Sequence, residues 1–235
     1  MVTAETVRGN IAHIRENIAS ACAKCGRNSD DITLMAVTKT VAPEFVNAAY
    51  ENGITLFGEN KVQELCDKFD SYKFAGDKIH FIGHLQSNKV KYLPRKVSMV
   101  QSVSSVSLAR EIEKQFSKHD KPVDVLIEVN IGEEPQKSGI MPKDIENLAK
   151  VIENLPHLNL RGFMTIPPFT HNISETEKYF FKMYEILLDF QLKIVDNKSI
   201  NILSMGMSDD YVNAIPFGTT VIRVGSAIFG ERKYI

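Results

Sequence analysis

The sequence predicts an α/β protein that folds as one (β/α)8 barrel, the TIM-barrel architecture, with an extra helix at its N-terminus. Eight short apolar segments rich in strand formers are each followed by a helical pattern or a helix-sized remainder. This alternation favours a parallel sheet with the helices outside it. The length of 235 residues is close to the ~250 that eight such units use. A doubly wound open sheet is the alternative, but it uses fewer strands and a glycine-rich first turn, which is absent here.

The elements follow one another without a linker or a low-complexity tract, so we expect one domain, 1–235. The first helix has apolar side chains three and four residues apart and ends at a capping glycine, Gly26. The predicted strands are 32–37, 54–57, 79–82, 97–100, 123–129, 158–164, 201–203 and 220–224. The helical patterns between them are 43–49, 62–69, 87–92, 108–116, 145–152, 174–187 and 209–214. A capping box from Ser174 to Glu177 is expected to open the longest of these.

The composition is that of a globular protein, with 43% hydrophobic and 24% charged residues. The 28 basic and 29 acidic residues give a net charge of -1, so nucleic acid and anionic membranes are not expected partners. No signal-peptide pattern or run near ~20 apolar residues occurs. The three cysteines fit a reducing cytoplasm, and the CxxC spacing of Cys22 and Cys25 has no second pair, so no metal site is expected.

A lysine, Lys39, follows the first predicted strand by two residues. In a parallel barrel, functional groups lie where the strands meet their following helices. An ammonium at that edge is partly desolvated, which is expected to lower its pKa and free the amine lone pair. Lys39 is therefore a candidate for a Schiff base with a carbonyl compound. The alternative is an ordinary surface lysine.

The loops after the last two strands are the recurrent phosphate site of this fold. The chain reads Ser204 to Asp209 after the seventh predicted strand, and Gly225-Ser226 after the eighth. Glycines let backbone N–H groups approach an anion, and serine hydroxyls add donors. We therefore predict a phosphate site here, against the alternative that these glycines only end strands.

Arg223 lies inside the apolar run 220–224, which indicates a guanidinium that points into the barrel. It faces the ring nitrogen if a pyridine cofactor occupies the barrel mouth, and otherwise pairs with a buried carboxylate such as Glu128. A lysine at one strand end and a phosphate site near another indicate a phosphorylated carbonyl compound. Pyridoxal phosphate (PLP) fits this description, and so does the sugar-phosphate aldehyde of an aldolase. Residue spacing does not separate the two.

Six longer motifs resemble the YggS/PROSC family of pyridoxal phosphate homeostasis proteins. The resemblance runs from Ile32 to Glu231. It is carried by LMAVTKTV around Lys39, LFGENKVQE at 56–64, HFIGHLQSNKVK at 80–91, EEPQKSGI at 133–140, GFMTIPP at 162–168 and the block LSMGMSDDYVNAIPFGTTVIRVGSAIFG at 203–230.

The resemblance implies a barrel similar to the N-terminal domain of alanine racemase, with PLP in its mouth. It implies that Lys39 carries the internal aldimine and that Arg223 faces the pyridine nitrogen. The other cofactor-binding residues that it implies are Ser204, Gly225 and Ser226 at the phosphate and Asn60 near the cofactor.

Two functions remain after these steps. The first is an intracellular carrier that buffers PLP and serves apo PLP-dependent enzymes, without catalytic turnover of its own, and is expected to be a monomer. The second is a fold-type III PLP enzyme such as an amino-acid racemase. A racemase needs an acid-base group on each face of its substrate. The sequence shows no convincing second base, and it stops directly after the eighth strand, so the carrier is the expected function.

Overall fold

Eight parallel strands close into a barrel in the order of the chain. The computed structural model describes residues 2–193 and 200–230, so residue 1, residues 194–199 and the last residues of the predicted domain, 231–235, lie outside the described ranges. The strands are β1 (Thr33–Val37), β2 (Leu56–Glu59), β3 (Ile79–Phe81), β4 (Met99–Val103), β5 (Val123–Val129), β6 (Leu158–Thr165), β7 (Ile202–Met207) and β8 (Val221–Val224). The predicted (β/α)8 architecture is confirmed.

Helices surround this barrel. They are α1 (Ala4–Cys25), α2 (Pro43–Glu51), α3 (Val62–Lys68), α4 (Val106–Ser117), α5 (Ile145–Glu153), α6 (Ile173–Lys193), α7 (Tyr211–Ala214) and α8 (Ser226–Phe229), with a 3-10 helix at Ser87–Tyr92. The predicted extra helix is α1, which ends at Gly26 in the left-handed conformation. Within residues 2–193 and 200–230, none of the helices has the length and apolar character that crossing a bilayer requires.

The start of α6 differs from the prediction. Ser174 lies inside the helix, and its backbone N–H donates to Oδ1 of Asn172 at 3.1 Å. Asn172 therefore caps this helix, because its side chain reaches the free backbone N–H two residues later. The predicted capping box at Ser174 is wrong.

Strand β7 is longer than the predicted 201–203 and carries an irregularity. Its pairing with β8 shifts between Ser204, opposite Val221, and Met207, opposite Arg223. Gly206 sits inside this bulge at a φ of 91°, and a Cβ there would lie 2.9 Å from the Cα of Tyr211. Bulges of this kind re-aim the residues at the end of a strand. Strand β7 therefore ends at Met207, four residues beyond the predicted strand end.

The barrel interior is apolar at its centre and polar towards the carboxyl ends of the strands. The apolar side chains form two buried clusters: Met35, Val37, Leu56, Ile82 and Val221, and Met99, Leu126 and Met164. Buried polar side chains come later along the strands, among them Gln101, Glu128, Ser204 and Arg223. In this fold, the functional site lies at the carboxyl ends of the strands, which is the end where these polar side chains are found.

Candidate functional site

A cavity of about 460 Å³ opens at the carboxyl ends of the strands. Its size falls in the range of small-molecule sites. It is lined by Val37, Lys39, Asn60, Ile82, Ile166, Met207, Ser208, Asp209, Arg223, Gly225 and Ser226. Five of the six residues predicted to bind a cofactor are in this set, and Ser204 is not. The barrel therefore brings together side chains from the ends of β1, β2, β7 and β8.

Lys39 and Asn60 come from the turns that follow β1 and β2. Strand β1 ends at Val37, and Lys39 is the second residue beyond it, half-buried at the cavity. Asn60 follows β2 directly, and its side-chain Oδ1 is buried without a hydrogen-bond partner in the part of the chain that the structure describes. A buried acceptor of this kind is costly unless a donor reaches it. Asn60 thus offers an acceptor to whatever fills the cavity.

Ser204 occupies a different place from the one predicted. It lies within β7, fully buried, and its hydroxyl donates to Oε1 of Gln101 at 2.8 Å. Because β7 continues to Met207, Ser208 comes to the cavity instead. The prediction of Ser204 as a phosphate residue is therefore corrected: it lies within the barrel wall, and the serine that reaches the cavity after β7 is Ser208.

Arg223 points into the barrel, as predicted, and is 4% exposed. Its Nη1 donates to the hydroxyl of Ser204 at 2.8 Å, and its Nη2 donates to the carbonyl of Thr165 at 2.8 Å. Glu128, the alternative partner, instead accepts from the hydroxyl of Ser138 at 2.6 Å in the described part of the chain. Burial lowers the pKa of Arg223 to about 10, with the carboxylates of Asp210 and Glu128 opposing that effect. Arg223 therefore stays protonated at neutral pH.

A chain of hydrogen bonds links Arg223 to His80 across the barrel. Ser204 accepts from Arg223 and donates to Gln101, whose Nε2 lies 2.9 Å from Nδ1 of His80. An amide nitrogen only donates, so Nδ1 of His80 must accept and its proton must sit on Nε2. Burial lowers the pKa of His80 to about 3, which agrees with a neutral ring. His80 is therefore a neutral histidine with a hydrogen-bond partner, and the sequence pattern did not reveal the role of Gln101.

Backbone donors converge beside Ser208. The N–H groups of Gly225 and Ala227 point at its Oγ from 3.2 and 3.4 Å. Ser226, between them, is exposed and lines the cavity. Two backbone N–H groups that meet at one oxygen are the arrangement that binds anions in other proteins. This rim of the cavity can therefore hold the oxygen atoms of a phosphate.

The residues of the cavity fit a phosphorylated aldehyde with an aromatic ring nitrogen. Lys39 supplies an amine, and the Ser208 and Gly225 rim supplies donors for an anion. Arg223 supplies a buried cation that its hydrogen bonds to Ser204 and Thr165 orient. Asn60 supplies a buried acceptor that has no partner among the described residues. These chemistries complement an aldehyde carbon, a phosphate, a pyridine nitrogen and a ring hydroxyl, respectively.

Comparison with known sequences gives one family. Residues 10–233 match the model described as "Alanine racemase, N-terminal domain". A protein of Haemophilus influenzae named pyridoxal phosphate homeostasis protein is 41% identical over 97% of each chain. A protein of the same name from Aquifex aeolicus is 40% identical over 95% of this chain and 97% of its own.

Solved structures give the same fold. An unknown protein from Bifidobacterium adolescentis is 30% identical over 96% of this chain and 95% of its own, with a TM-score of 0.90. PipY of Synechococcus elongatus, solved with PLP bound, is 28% identical over 91% of this chain and all of its own, with a TM-score of 0.77. Alanine racemase from Corynebacterium glutamicum shares the fold, with a TM-score of 0.73 at 13% identity. The chain therefore belongs to the family of pyridoxal phosphate homeostasis proteins, within the alanine racemase N-terminal domain family.

Proposed function

We propose that this chain binds PLP in the barrel mouth as a Schiff base with Lys39 and serves as a cytoplasmic carrier of that cofactor. The observation that carries the proposal is the convergence of Lys39, Asn60, Arg223 and the Gly225 rim on one cavity. The names of the relatives and the PLP-bound structure of PipY support it. The three free cysteines are consistent with a reducing compartment.

Lys39 is the covalent anchor in this proposal. The neutral amine of Lys39 attacks the aldehyde carbon, and one water leaves as the carbon–nitrogen double bond forms. Water reverses the step, so the link forms and opens without an oxidant or a second substrate. Reversible attachment is what a carrier requires, since the cofactor must leave for another protein.

Arg223 sets the electronic character of the bound ring. When bound, PLP supplies an electron sink for reactions at the α-carbon of amino acids. That sink is strongest when the ring nitrogen carries a proton. A guanidinium that keeps its charge donates a hydrogen bond to the nitrogen but does not give up its proton. Arg223 therefore favours a weaker sink, which suits storage more than catalysis.

Acid-base groups are also few around the cavity. Besides Lys39 and Arg223, the titratable group among the described lining residues is Asp209, which is exposed to solvent. Racemisation by two bases needs a positioned group on each face of the substrate. This lining supports the carrier over the racemase, the alternative considered above.

A transfer experiment tests the carrier function. Purified protein loaded with PLP is mixed with an apo PLP-dependent enzyme, and the recovered activity of that enzyme is followed with time. Both samples contain a PLP scavenger and the same total amount of PLP, either loaded on the protein or free. We expect the activity of the apo enzyme to recover faster with the loaded protein than with free PLP. No recovery with loaded protein, while free PLP restores activity, would contradict the carrier function.

Exchange of α-protons tests the enzyme alternative. We expect exchange of deuterium into L- and D-amino acids to be far below the turnover of about 1–1000 per second that is common among enzymes. The reason is that no positioned second base lies among the described residues that line the cavity, together with a ring nitrogen that Arg223 leaves unprotonated. NMR of each amino acid after incubation with loaded protein in D2O measures the rate. Rapid, stereospecific exchange on any one amino acid would restore the enzyme hypothesis.

The phosphate rim gives a graded prediction. Ser226→Ala is expected to weaken PLP retention by roughly 1–3 kcal/mol, because a hydroxyl donor to a phosphate is lost while the backbone donors remain. Ser208→Ala tests the corrected residue in the same way. Dialysis against phosphate buffer with cofactor fluorescence as the readout measures both. If retention is unchanged in both variants, the phosphate binds elsewhere.

A further inference from the structure

The turn that carries Lys39 is strained. Thr40, the next residue, has a φ of 61°, in the left-handed region that β-branched residues seldom adopt. Its hydroxyl donates to the carbonyl of Lys39 at 2.7 Å. Strained backbone persists where the surrounding structure holds it, and it is common at functional sites. The contacts that hold this turn therefore bear on where Lys39 points.

Two residues of α3 supply those contacts. The ammonium of Lys68 donates to the carbonyl of Thr38 at 3.0 Å, and the carboxylate of Glu64 accepts from the N–H of Thr40. The carbonyl of Thr38 and the N–H of Thr40 belong to the two peptide groups that flank Lys39. Each of these peptide groups therefore has a hydrogen bond to a side chain outside the turn. Glu64 and Lys68 are one helical turn apart and also pair with each other. Their side chains are only 17% and 13% exposed.

A buried carboxyl group holds the side chain of Thr38 as well. Glu59 is fully buried, and its Oε1 accepts from the hydroxyl of Thr38 at 2.7 Å and from that of Tyr72 at 2.6 Å. Lys68 lies 4.0 Å from the same oxygen. Thr38 is thus fixed through its carbonyl and its hydroxyl, and it cannot turn without breaking buried hydrogen bonds.

We propose that Glu64 and Lys68 are positioning residues that hold both peptide groups of Lys39 and so direct its amine into the cavity. The inference rests on the proposed function, because it concerns the lysine that would carry the cofactor. Neither Glu64 nor Lys68 lines the cavity, so they act through Lys39 and not by touching a ligand. Loss of these hydrogen bonds is expected to slow formation of the Schiff base, since a small displacement of a reacting group lowers the rate strongly.

The test uses four single variants of the full chain and one double variant, which combines Glu64→Ala with Lys68→Met. Glu64→Ala removes the acceptor for Thr40, Lys68→Met removes the donor to Thr38, and Glu64→Gln keeps an acceptor oxygen without the charge. The matched control is the exposed ion pair of Glu51 and Lys73, which is removed by Glu51→Ala. Rates of Schiff-base formation with PLP are followed by absorbance, and the reactivity of Lys39 in the protein without PLP is measured against pH by competitive amine labelling and mass spectrometry.

We expect Glu64→Ala and Lys68→Met each to slow Schiff-base formation about tenfold and to alter the labelling profile of Lys39. Combining the two should cost less than the product of the single effects, because both hold the same residue. Glu64→Gln should recover most of the rate, and Glu51→Ala should match the wild type. A purely structural role would lower the melting temperature without changing the labelling profile.

Two results would overturn the inference in distinguishable ways. If wild-type Lys39 forms the Schiff base and the α3 variants keep its rate and labelling profile, the positioning role alone is wrong. If borohydride reduction of the wild type leaves the pyridoxyl group on another residue, the proposed function fails, and the positioning role fails with it.

Discussion

Lys39→Ala is expected to abolish the visible absorbance band of the Schiff base in protein loaded with PLP. Lys39 is the lysine among the described residues that line the cavity, so no other amine there can replace it. Noncovalent binding through Arg223 and the phosphate rim is expected to remain but to be weaker. The spectrum of the variant, recorded with a saturating amount of PLP, measures the effect.

Borohydride reduction and peptide mapping of the wild type provide the complementary observation. We expect the pyridoxyl group on the peptide that contains Lys39. Lys61→Ala is the matched control, because Lys61 is exposed beside Asn60 but does not line the cavity. Its band should equal that of the wild type. A band that survives in Lys39→Ala, or a label found mainly on Lys61, would show that the assignment of Lys39 is wrong.

The strands and the position of Lys39 could be predicted from the sequence because they depend on local patterns. The run ITLMAV is apolar except for Thr33, as expected for a strand covered on both faces, and Lys39 is the second residue after it. The barrel then places the carboxyl ends of all strands at one mouth. For that reason Lys39, Arg223 and Gly225, which are far apart in sequence, could be assigned to one site.

The same patterns fail where polar residues face the barrel interior. Ser204 and Gly206 resemble a loop after the run NIL, yet they belong to β7. Ser204 is accepted inside the wall because Gln101 and Arg223 satisfy its hydroxyl. Gln101 was missed for the same reason, since a polar run after VSMV also resembles a loop. Tertiary hydrogen bonds between distant strands decide both cases, and no local pattern encodes them.

The pair Glu64 and Lys68 illustrates a different difficulty. A glutamate and a lysine four residues apart are typical of a solvent-exposed helix face. In the structure, they face the turn of Lys39 instead. The signal that could have found them is their place on the helix that starts at Val62, two residues after Asn60, a residue already assigned to the cavity.

Acid is expected to destabilise the folded protein through His80, which stands at one end of the hydrogen-bond chain that leads to Arg223. Burial lowers the pKa of His80 to about 3 from its ordinary value of 6.5. Below pH 6.5, the unfolded chain therefore takes up a proton that the folded chain refuses. The contribution of neutral His80 to the free energy of unfolding is therefore fully present above pH 6.5, and it is lost progressively as the pH falls towards 3.

The size of this loss follows from the shift. If His80 were fully shielded from solvent, the free energy of unfolding would fall by ~1.4 kcal/mol for each pH unit below 6.5. His80 keeps partial contact with solvent, which weakens the effect. We expect the wild type to lose on the order of 1–2 kcal/mol relative to His80→Gln between pH 6.5 and 4.5. Urea unfolding of both proteins across this range measures the difference, and His84→Gln, at an exposed histidine, is the control.

The chain from His80 to Arg223 links this acid sensitivity to the cavity. A proton on Nδ1 of His80 would face the amide nitrogen of Gln101, two donors 2.9 Å apart, so Gln101 would have to rotate. Rotation would take its oxygen from Ser204, the residue that orients Arg223. Because the folded protein keeps His80 neutral until the pH approaches 3, PLP retention by the wild type should decline only as the pH approaches that value, and more steeply than retention by His80→Gln, which has no imidazole to protonate. Parallel retention curves for the two proteins would show that protonation of His80 does not affect the cavity. A ring proton found on Nδ1 by nitrogen NMR at neutral pH would show that Nδ1 does not accept a hydrogen bond from Gln101.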